Sequence, residues 1–238
     1  MLTTLVPVRS GLQNVFHGLS SAIHTDLTRR GPVDLTLCLI ANSSGLKEQW
    51  RFSQVVQAAA EGLLSLVQLR DPVEEICATL STARLLQPHI QVVINNRVDV
   101  ALAIRAGVHL GQRDFPLKEA KRLMGELICG LTVESLDEVE QAEELEVDYL
   151  GLQIFPSKRT KPFSSRPFGL EGLYRARALS RHRFLVIGGM NEANIEQVSA
   201  LLRKGDGIAA AGQLNDFPLA TAQKLRKLME ESDAFSLR

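Results

Sequence analysis

Glycine pairs and clustered cations give this chain several places suited to holding an anion. Gly188-Gly189 and Gly212 each follow a short apolar run, and glycine there lets backbone N–H groups come close to a phosphate. A tight turn uses the same residues, so the glycines gain meaning from their neighbours. The segment Phe155-Pro156-Ser157-Lys158-Arg159-Thr160-Lys161-Pro162 sets two hydroxyls and three cations between two prolines, a composition that can fold over a polyanion or stand in solvent. Arg70 closes an otherwise apolar run, where a guanidinium calls for an anionic partner or water. Asp114 has two open readings. It can be a ligand for magnesium, which prefers one or two carboxylates together with phosphate oxygens, or a cap for the helix opening at Pro116-Leu117-Lys118. His109 lies in an apolar run and reads as a satisfied core histidine rather than a general base, while Asp99, inside a helical stretch, reads as structural.

What must position these residues is an alternation of short β-branched runs with stretches of helical period. Strands are predicted at 35–41, 64–70, 91–95, 107–110, 127–131, 149–153, 184–187 and 207–211, and helices at 54–62, 74–86, 98–106, 117–124, 135–145, 170–179, 192–202 and 218–229. Val139, Ala142 and Leu145 on one helix, and Ile195, Val198, Leu201 and Leu202 on another, form stripes that can lie against a sheet. Eight such units predict an α/β protein with the (β/α)8 TIM-barrel fold, rather than an open doubly wound sheet, which carries fewer strands and a Gly-rich first turn that Asn42-Ser43-Ser44-Gly45 only faintly resembles. In a barrel the residues leaving the carboxyl ends of the strands face one mouth. Here they are Gln68 and Arg70, Asn95 and Asn96, Gln112 and Asp114, Thr132, Ser157 to Lys161, Gly188 and Gly189, and Gly212. Residues 1–34 read as an extension, with Leu12, Val15, Phe16, Leu19 and Ile23 spaced for a short helix packed on the barrel of residues 35–238.

Composition narrows the function classes. At 238 residues, 45% hydrophobic and 23% charged, the chain can bury a full core, which sets disorder aside. Twenty-seven basic residues balance twenty-seven acidic ones, without the basic excess of a nucleic-acid binder. Apolar stretches stop well short of the roughly 18 residues of a membrane span. Cys38, Cys77 and Cys129 are far apart and form no CxxC pair, which argues against a disulfide scaffold or zinc site and fits a reducing cytoplasm. The expected partners are small phosphorylated molecules, and a homo-oligomer is compatible with the chain.

The segments Val93-Ile94-Asn95-Asn96-Arg97-Val98-Asp99-Val100-Ala101 and Gly107-Val108-His109-Leu110-Gly111-Gln112-Arg113-Asp114 resemble the thiamine-phosphate synthase (thiamine-phosphate pyrophosphorylase) family. So, in order, do Gln68-Leu69-Arg70, Asp148-Tyr149-Leu150-Gly151, Ile154-Phe155-Pro156, Thr160-Lys161, Ile187-Gly188-Gly189 and Asp206-Gly207-Ile208-Ala209. The resemblance implies an enzyme that joins a hydroxymethylpyrimidine diphosphate to a hydroxyethylthiazole phosphate with release of pyrophosphate, using Mg2+. It implies that Gln68, Arg70, Asn95, Thr132 and Lys161 hold the pyrimidine diphosphate, with Arg70 and Lys161 balancing the leaving charge. Asp114 and Asn96 then fall at the metal, Ser157 and Thr160 near the thiazole, and Gly188, Gly189, Ala211 and Gly212 at its phosphate.

Four departures qualify that picture. Asp71-Pro72 lacks the family's lysine after the arginine, and Asn96 stands where the family has a metal-binding aspartate. The family's Gly-x-Gly-Pro is compressed to Gly151-Leu152-Gln153, and Gly212 replaces a serine. Two alternatives to the synthase therefore stay open: an isomerase like the thiazole tautomerase relatives, and a non-catalytic module that binds a thiamine precursor.

Overall fold

The computed structural model describes residues 33–72, 75–156 and 166–232. Eight parallel strands close on themselves: β1 (Leu37–Ala41), β2 (Leu66–Leu69), β3 (Gln91–Asn95), β4 (Gly107–Leu110), β5 (Cys129–Val133), β6 (Tyr149–Gln153), β7 (Phe184–Ile187) and β8 (Gly207–Ala210), with β8 pairing back to β1. The helices are α1 (Gln49–Ala60), α2 (Ile76–Leu86), α3 (Val98–Ile104), α4 (Leu117–Met124), α5 (Leu136–Gln141), α6 (Gly169–Leu179), α7 (Ile195–Ser199), α8 (Gln213–Asp216) and α9 (Pro218–Glu231). The predicted (β/α)8 barrel is what forms. The expected extension, residues 1–34, lies outside the described residues except for Val33 and Asp34.

Strand side chains alternate between two apolar environments, which is why the strands read as unbroken apolar runs. Leu37, Leu39, Val67, Leu69, Val92, Ile94, Val108 and Leu110 point outward into the helix layer. Cys38, Ile40, Leu66, Val93, Tyr149, Leu185 and Ala209 fill the barrel instead. Two glycines make room inside: a Cβ on Gly130 would lie 2.2 Å from the Tyr149 ring, and one on Gly207 would lie 1.5 Å from the Leu35 carbonyl oxygen. No helix among the described residues is long and apolar enough to cross a membrane.

Element boundaries moved where backbone hydrogen bonds overrode side-chain period. Strand β5 starts at Cys129 instead of 127 because Leu127 N–H still closes the turn onto the Met124 carbonyl at 3.1 Å. Helix α1 starts at Gln49 instead of 54. Glu48 O accepts from Phe52 N–H at 3.1 Å, and the added turn brings Phe52 against the core beside Val55 and Ala58 while Arg51 stacks over Trp50. Helix α7 shrinks from 192–202 to Ile195–Ser199, because Asn191 Oδ1 captures Ala193 N–H and Asn194 Oδ1 captures Asn191 N–H before the helix can begin. Helix α8 was not foreseen; at Gln213–Asp216 it is too short to show a period, and Asn215 Nδ2 ties it to the Ile40 carbonyl of β1 at 2.7 Å.

Candidate active site

A cavity of about 330 Å³ opens at the carboxyl end of the strands, where barrel chemistry resides. Gln68, Arg70, Asn95, Asn96, Asp114 and Thr132 all line it. They arrive from β2, β3, β5 and the loops after β2, β3 and β4, so side chains up to 64 positions apart in the sequence face one space. The backbone N–H of Arg70 donates to Ala41 O at 2.8 Å, which fixes the end of β2. Its guanidinium makes no hydrogen bond or ion pair with a described residue. Asp71, by contrast, accepts from Ser43 N–H, Ser43 Oγ and Thr79 Oγ1, each at 2.6 Å, and so serves as a strut between the first two loops and α2.

Asp114 does not cap α4. Its Oδ2 accepts from Gly111 N–H at 2.7 Å and its Oδ1 from Asn96 Nδ2 at 3.1 Å. Asn96 itself is left-handed, with φ 55°, a conformation Asn tolerates better than most residues, and its N–H donates to the His109 carbonyl at 2.8 Å. Asp99 is structural as expected: it pairs with Arg97, which holds its carboxyl below the usual range.

The barrel floor is a polar thread in an apolar wall. Asn95 Nδ2 donates to Gln68 Oε1 at 3.2 Å. Tyr149 Oη lies 3.1 Å from His109 Nδ1, and His109 Nε2 lies 2.8 Å from Thr132 Oγ1. His109 is the core histidine the sequence predicted, at 7% exposure, yet it also lines the cavity. Burial first, then the Arg70 charge, push its pKa down to about 4, against a smaller opposing pull from Asp114. The unfolded chain therefore takes up a proton near pH 6.5 that the native barrel refuses until about pH 4. Stability is full above pH 6.5 and falls as the pH drops, by about 3 kcal/mol at pH 4 from this group. Urea titrations of wild type and His109→Gln between pH 7 and 4 are expected to show a shallower loss in the variant; equal slopes would remove His109 as the cause.

Sequence reasoning missed Glu134 and Gln153, which also line the cavity. Glu134 became a rim residue when β5 shifted two positions along. Gln153 occupies the compressed turn at the end of β6; its Nε2 donates to the Phe155 carbonyl at 3.1 Å and its buried Oε1 has no hydrogen-bond partner among the described residues. Gly188 and Gly189 do not line this cavity. They adopt φ 98° and 58° so that the β7 loop packs on the β6 loop, where a Cβ on Gly188 would sit 2.3 Å from the Phe155 carbonyl oxygen. Ala211 and Gly212, the latter at φ 51°, are on the β8 loop leading into α8 and do not line the cavity either. Ser157, Thr160 and Lys161 lie outside the described residues.

A family profile described as thiamine monophosphate synthase matches residues 37–213 of this chain. That interval runs from the first residue of β1 to the first of α8 and contains every described residue lining the cavity. The chain belongs to the thiamine monophosphate synthase family. It is 40% identical over 187 residues to the thiamine-phosphate synthase of Albidiferax ferrireducens, a match covering 75% of this chain and 84% of that protein. The family protein of Vibrio campbellii, also a thiamine-phosphate synthase, is 36% identical over 74% of this chain and 90% of its own length. Among solved structures, the thiamine phosphate pyrophosphorylase of Pyrococcus furiosus superposes with a TM-score of 0.69 at 32% identity, covering 85% of this chain and 98% of that one. The family's fold is thus the fold seen here, with the cavity at its mouth.

Proposed function

We propose that the chain is a thiamine-phosphate synthase, coupling 4-amino-2-methyl-5-hydroxymethylpyrimidine diphosphate to 4-methyl-5-(2-hydroxyethyl)thiazole phosphate. The observation that carries this is the convergence of Gln68, Arg70, Asn95, Thr132 and Asp114, the motif residues of the family resemblance, on one cavity. In the reaction the bond between the pyrimidine methylene and the diphosphate oxygen breaks, and a bond from that methylene to the thiazole nitrogen forms. A loose transition state puts positive charge on the pyrimidine and negative charge on the departing diphosphate, so the protein's work is mainly electrostatic. Arg70 and Lys161 balance the leaving group as catalytic residues. Gln68, Asn95 and Thr132 hold the pyrimidine diphosphate, Ser157 and Thr160 approach the thiazole, and backbone N–H groups around Gly188, Gly189, Ala211 and Gly212 receive its phosphate.

Asp114 and Asn96 fit a magnesium ion that brings most of its own ligands: one carboxylate, one amide oxygen, and the rest from phosphate and water. When bound, magnesium screens the charge of the diphosphate as it departs. To offer its amide oxygen to such an ion, Asn96 would give up the hydrogen bond that its Nδ2 now donates to Asp114. Residues 35–238 carry the catalytic barrel in this reading, and 1–34 are an extension to it. The free thiols Cys38, Cys77 and Cys129 support a reducing cytoplasm. The isomerase alternative needs a free base, and both nitrogens of His109 are engaged.

The test is to incubate the purified protein with both substrates and Mg2+ and to measure thiamine phosphate and pyrophosphate, with Asn96→Asp in parallel. Wild type is expected to form both products. Asn96→Asp sets a second carboxylate where an amide now donates to Asp114 at 3.1 Å. Without metal it should be less stable than wild type, and it should bind Mg2+ about 10-fold more tightly, since each carboxylate added to a site raises its affinity. Thermal unfolding with and without Mg2+ reads this apart from turnover. Absence of product from both proteins would overturn the synthase reading.

A further inference from the structure

The polar thread across the barrel floor has a direction, and the direction can be worked out atom by atom. Tyr149 is fully buried, and its hydroxyl oxygen lies 3.1 Å from His109 Nδ1. If Nδ1 carried a proton, the phenol proton would be left buried without an acceptor; with Nδ1 accepting, it is satisfied, so Tyr149 donates to His109 Nδ1. A neutral imidazole whose Nδ1 accepts carries its proton on Nε2. That N–H donates to Thr132 Oγ1 at 2.8 Å. The Thr132 hydroxyl oxygen is then occupied on its inner side, and its proton is left to point into the cavity that Thr132 lines.

We propose that Tyr149 and His109 are positioning residues that fix the Thr132 hydroxyl as a hydrogen-bond donor toward an anionic substrate oxygen, the departing diphosphate. The proposal rests on the synthase reading for the identity of that oxygen, but not for the direction of the thread. An O–H whose oxygen already accepts from an imidazole is a stronger donor than an isolated hydroxyl, and one held in place needs no reorientation as charge develops. Packing keeps the thread in register. The imidazole and phenol rings stack with centroids 5.5 Å apart and planes 18° from parallel. Gly130 leaves no more than the space the Tyr149 ring fills, and a Cβ on Gly151 would lie 2.9 Å from His109 Cε1. A side chain at either glycine position would push the ring it faces out of line.

Nitrogen-15 NMR of histidine-labelled protein reads the tautomer directly, with no substrate present. Wild-type His109 is expected as the Nε2–H form. Tyr149→Phe keeps the ring in its slot and removes the donor that holds Nδ1 as an acceptor, so the resonances should move from a pure Nε2–H form toward a mixture of the two neutral tautomers. Turnover should fall about 10- to 100-fold, the cost of one hydrogen bond to a charged group, with KM for the thiazole phosphate unchanged. Thr132→Val should match that loss while His109 remains folded and neutral, and Thr132→Ser should restore most of it. An Nδ1–H tautomer in wild type, or full turnover in Tyr149→Phe, overturns the proposal. If no thiamine phosphate forms under any condition while the Nε2–H tautomer and its shift are observed, the thread stands and the synthase reading fails.

Discussion

Arg70→Ala is expected to lower kcat/KM of thiamine phosphate formation by about 10²–10³-fold, the loss seen when one preorganised group at a developing charge is removed. Arg70 sits at the carboxyl end of β2, with its backbone pinned to Ala41 and its guanidinium in the cavity wall, unpaired by any described side chain. A guanidinium in the cavity wall that forms no ion pair with a described residue is available to an anionic ligand. Pro72 stands where the family resemblance would put a lysine, and Asn96 where it would put a metal-binding aspartate. The burden on Arg70 therefore rises. Stability should change by less than about 0.5 kcal/mol, because the side chain makes no contact that holds the fold. Arg70→Lys should recover only part of the rate, since a single ammonium cannot make the paired N–H contacts of a guanidinium to two phosphate oxygens. Steady-state kinetics with each substrate varied, beside a denaturation curve for each variant, checks this. A rate within threefold of wild type for Arg70→Ala would remove Arg70 from the catalytic machinery.

Arg177→Met should act at the opposite end of the barrel and on stability instead of rate. Arg177 Nη1 lies 3.0 Å from both carboxylate oxygens of Asp206, while its Nη2 donates to the Ser180 and His182 carbonyls at 2.7 and 2.5 Å. Asp206 also accepts from Phe184 N–H and Arg203 N–H, each at 2.8 Å, so the pair ties the end of α6 to the first residue of β7 and to the turn entering β8. Both side chains are buried, at 7% and 1% exposure, and the guanidinium lies 3.6 Å above the Phe184 ring. Removing one partner strands the other charge in an apolar setting, which costs about 3–5 kcal/mol. At about 2–4 °C per kcal/mol for a domain of this size, the melting temperature should drop by roughly 6–20 °C. The cavity lies at the other end of the strands, so the folded variant should keep its KM values at low temperature. A drop of less than about 2 °C would mean the pair is relaxed by water and holds little of the fold.

Much of the site was legible before any coordinates. The run Gln68-Leu69-Arg70 ends an apolar strand with polar residues, and the same pattern recurs at Asn95-Asn96 and at Thr132; in a parallel barrel strand ends converge, so the pattern implies a shared mouth. Gln68, Arg70, Asn95, Asn96 and Thr132 all line the cavity. Glu134 was invisible because β5 runs two residues further than its apolar period suggested, the turn after α4 having used up Leu127. Gln153 ends its strand as Gln68 and Asn95 end or near-end theirs, so the same pattern could have found it; it stood out only as part of the compressed turn at the end of β6. Gly188 and Gly189 were read for what they let a ligand do, whereas their positive φ angles first serve the packing of the β7 loop on Phe155 and Pro156.

The sequence by itself determined the barrel, because eight repeats of an apolar run followed by a helical stripe leave few other ways to bury so many runs on both faces. It determined the family too, through motifs carried by short contiguous segments. Tertiary structure alone decided which polar atoms face one another: that Asp71 braces two loops while Arg70 stays open to the cavity, that Asn96 already donates to Asp114, and that His109 Nε2 meets the Thr132 hydroxyl. Those facts depend on strand register and on which donor reaches which acceptor within 3.5 Å, and an amino-acid sequence records residue types, not the separations that hydrogen bonds require.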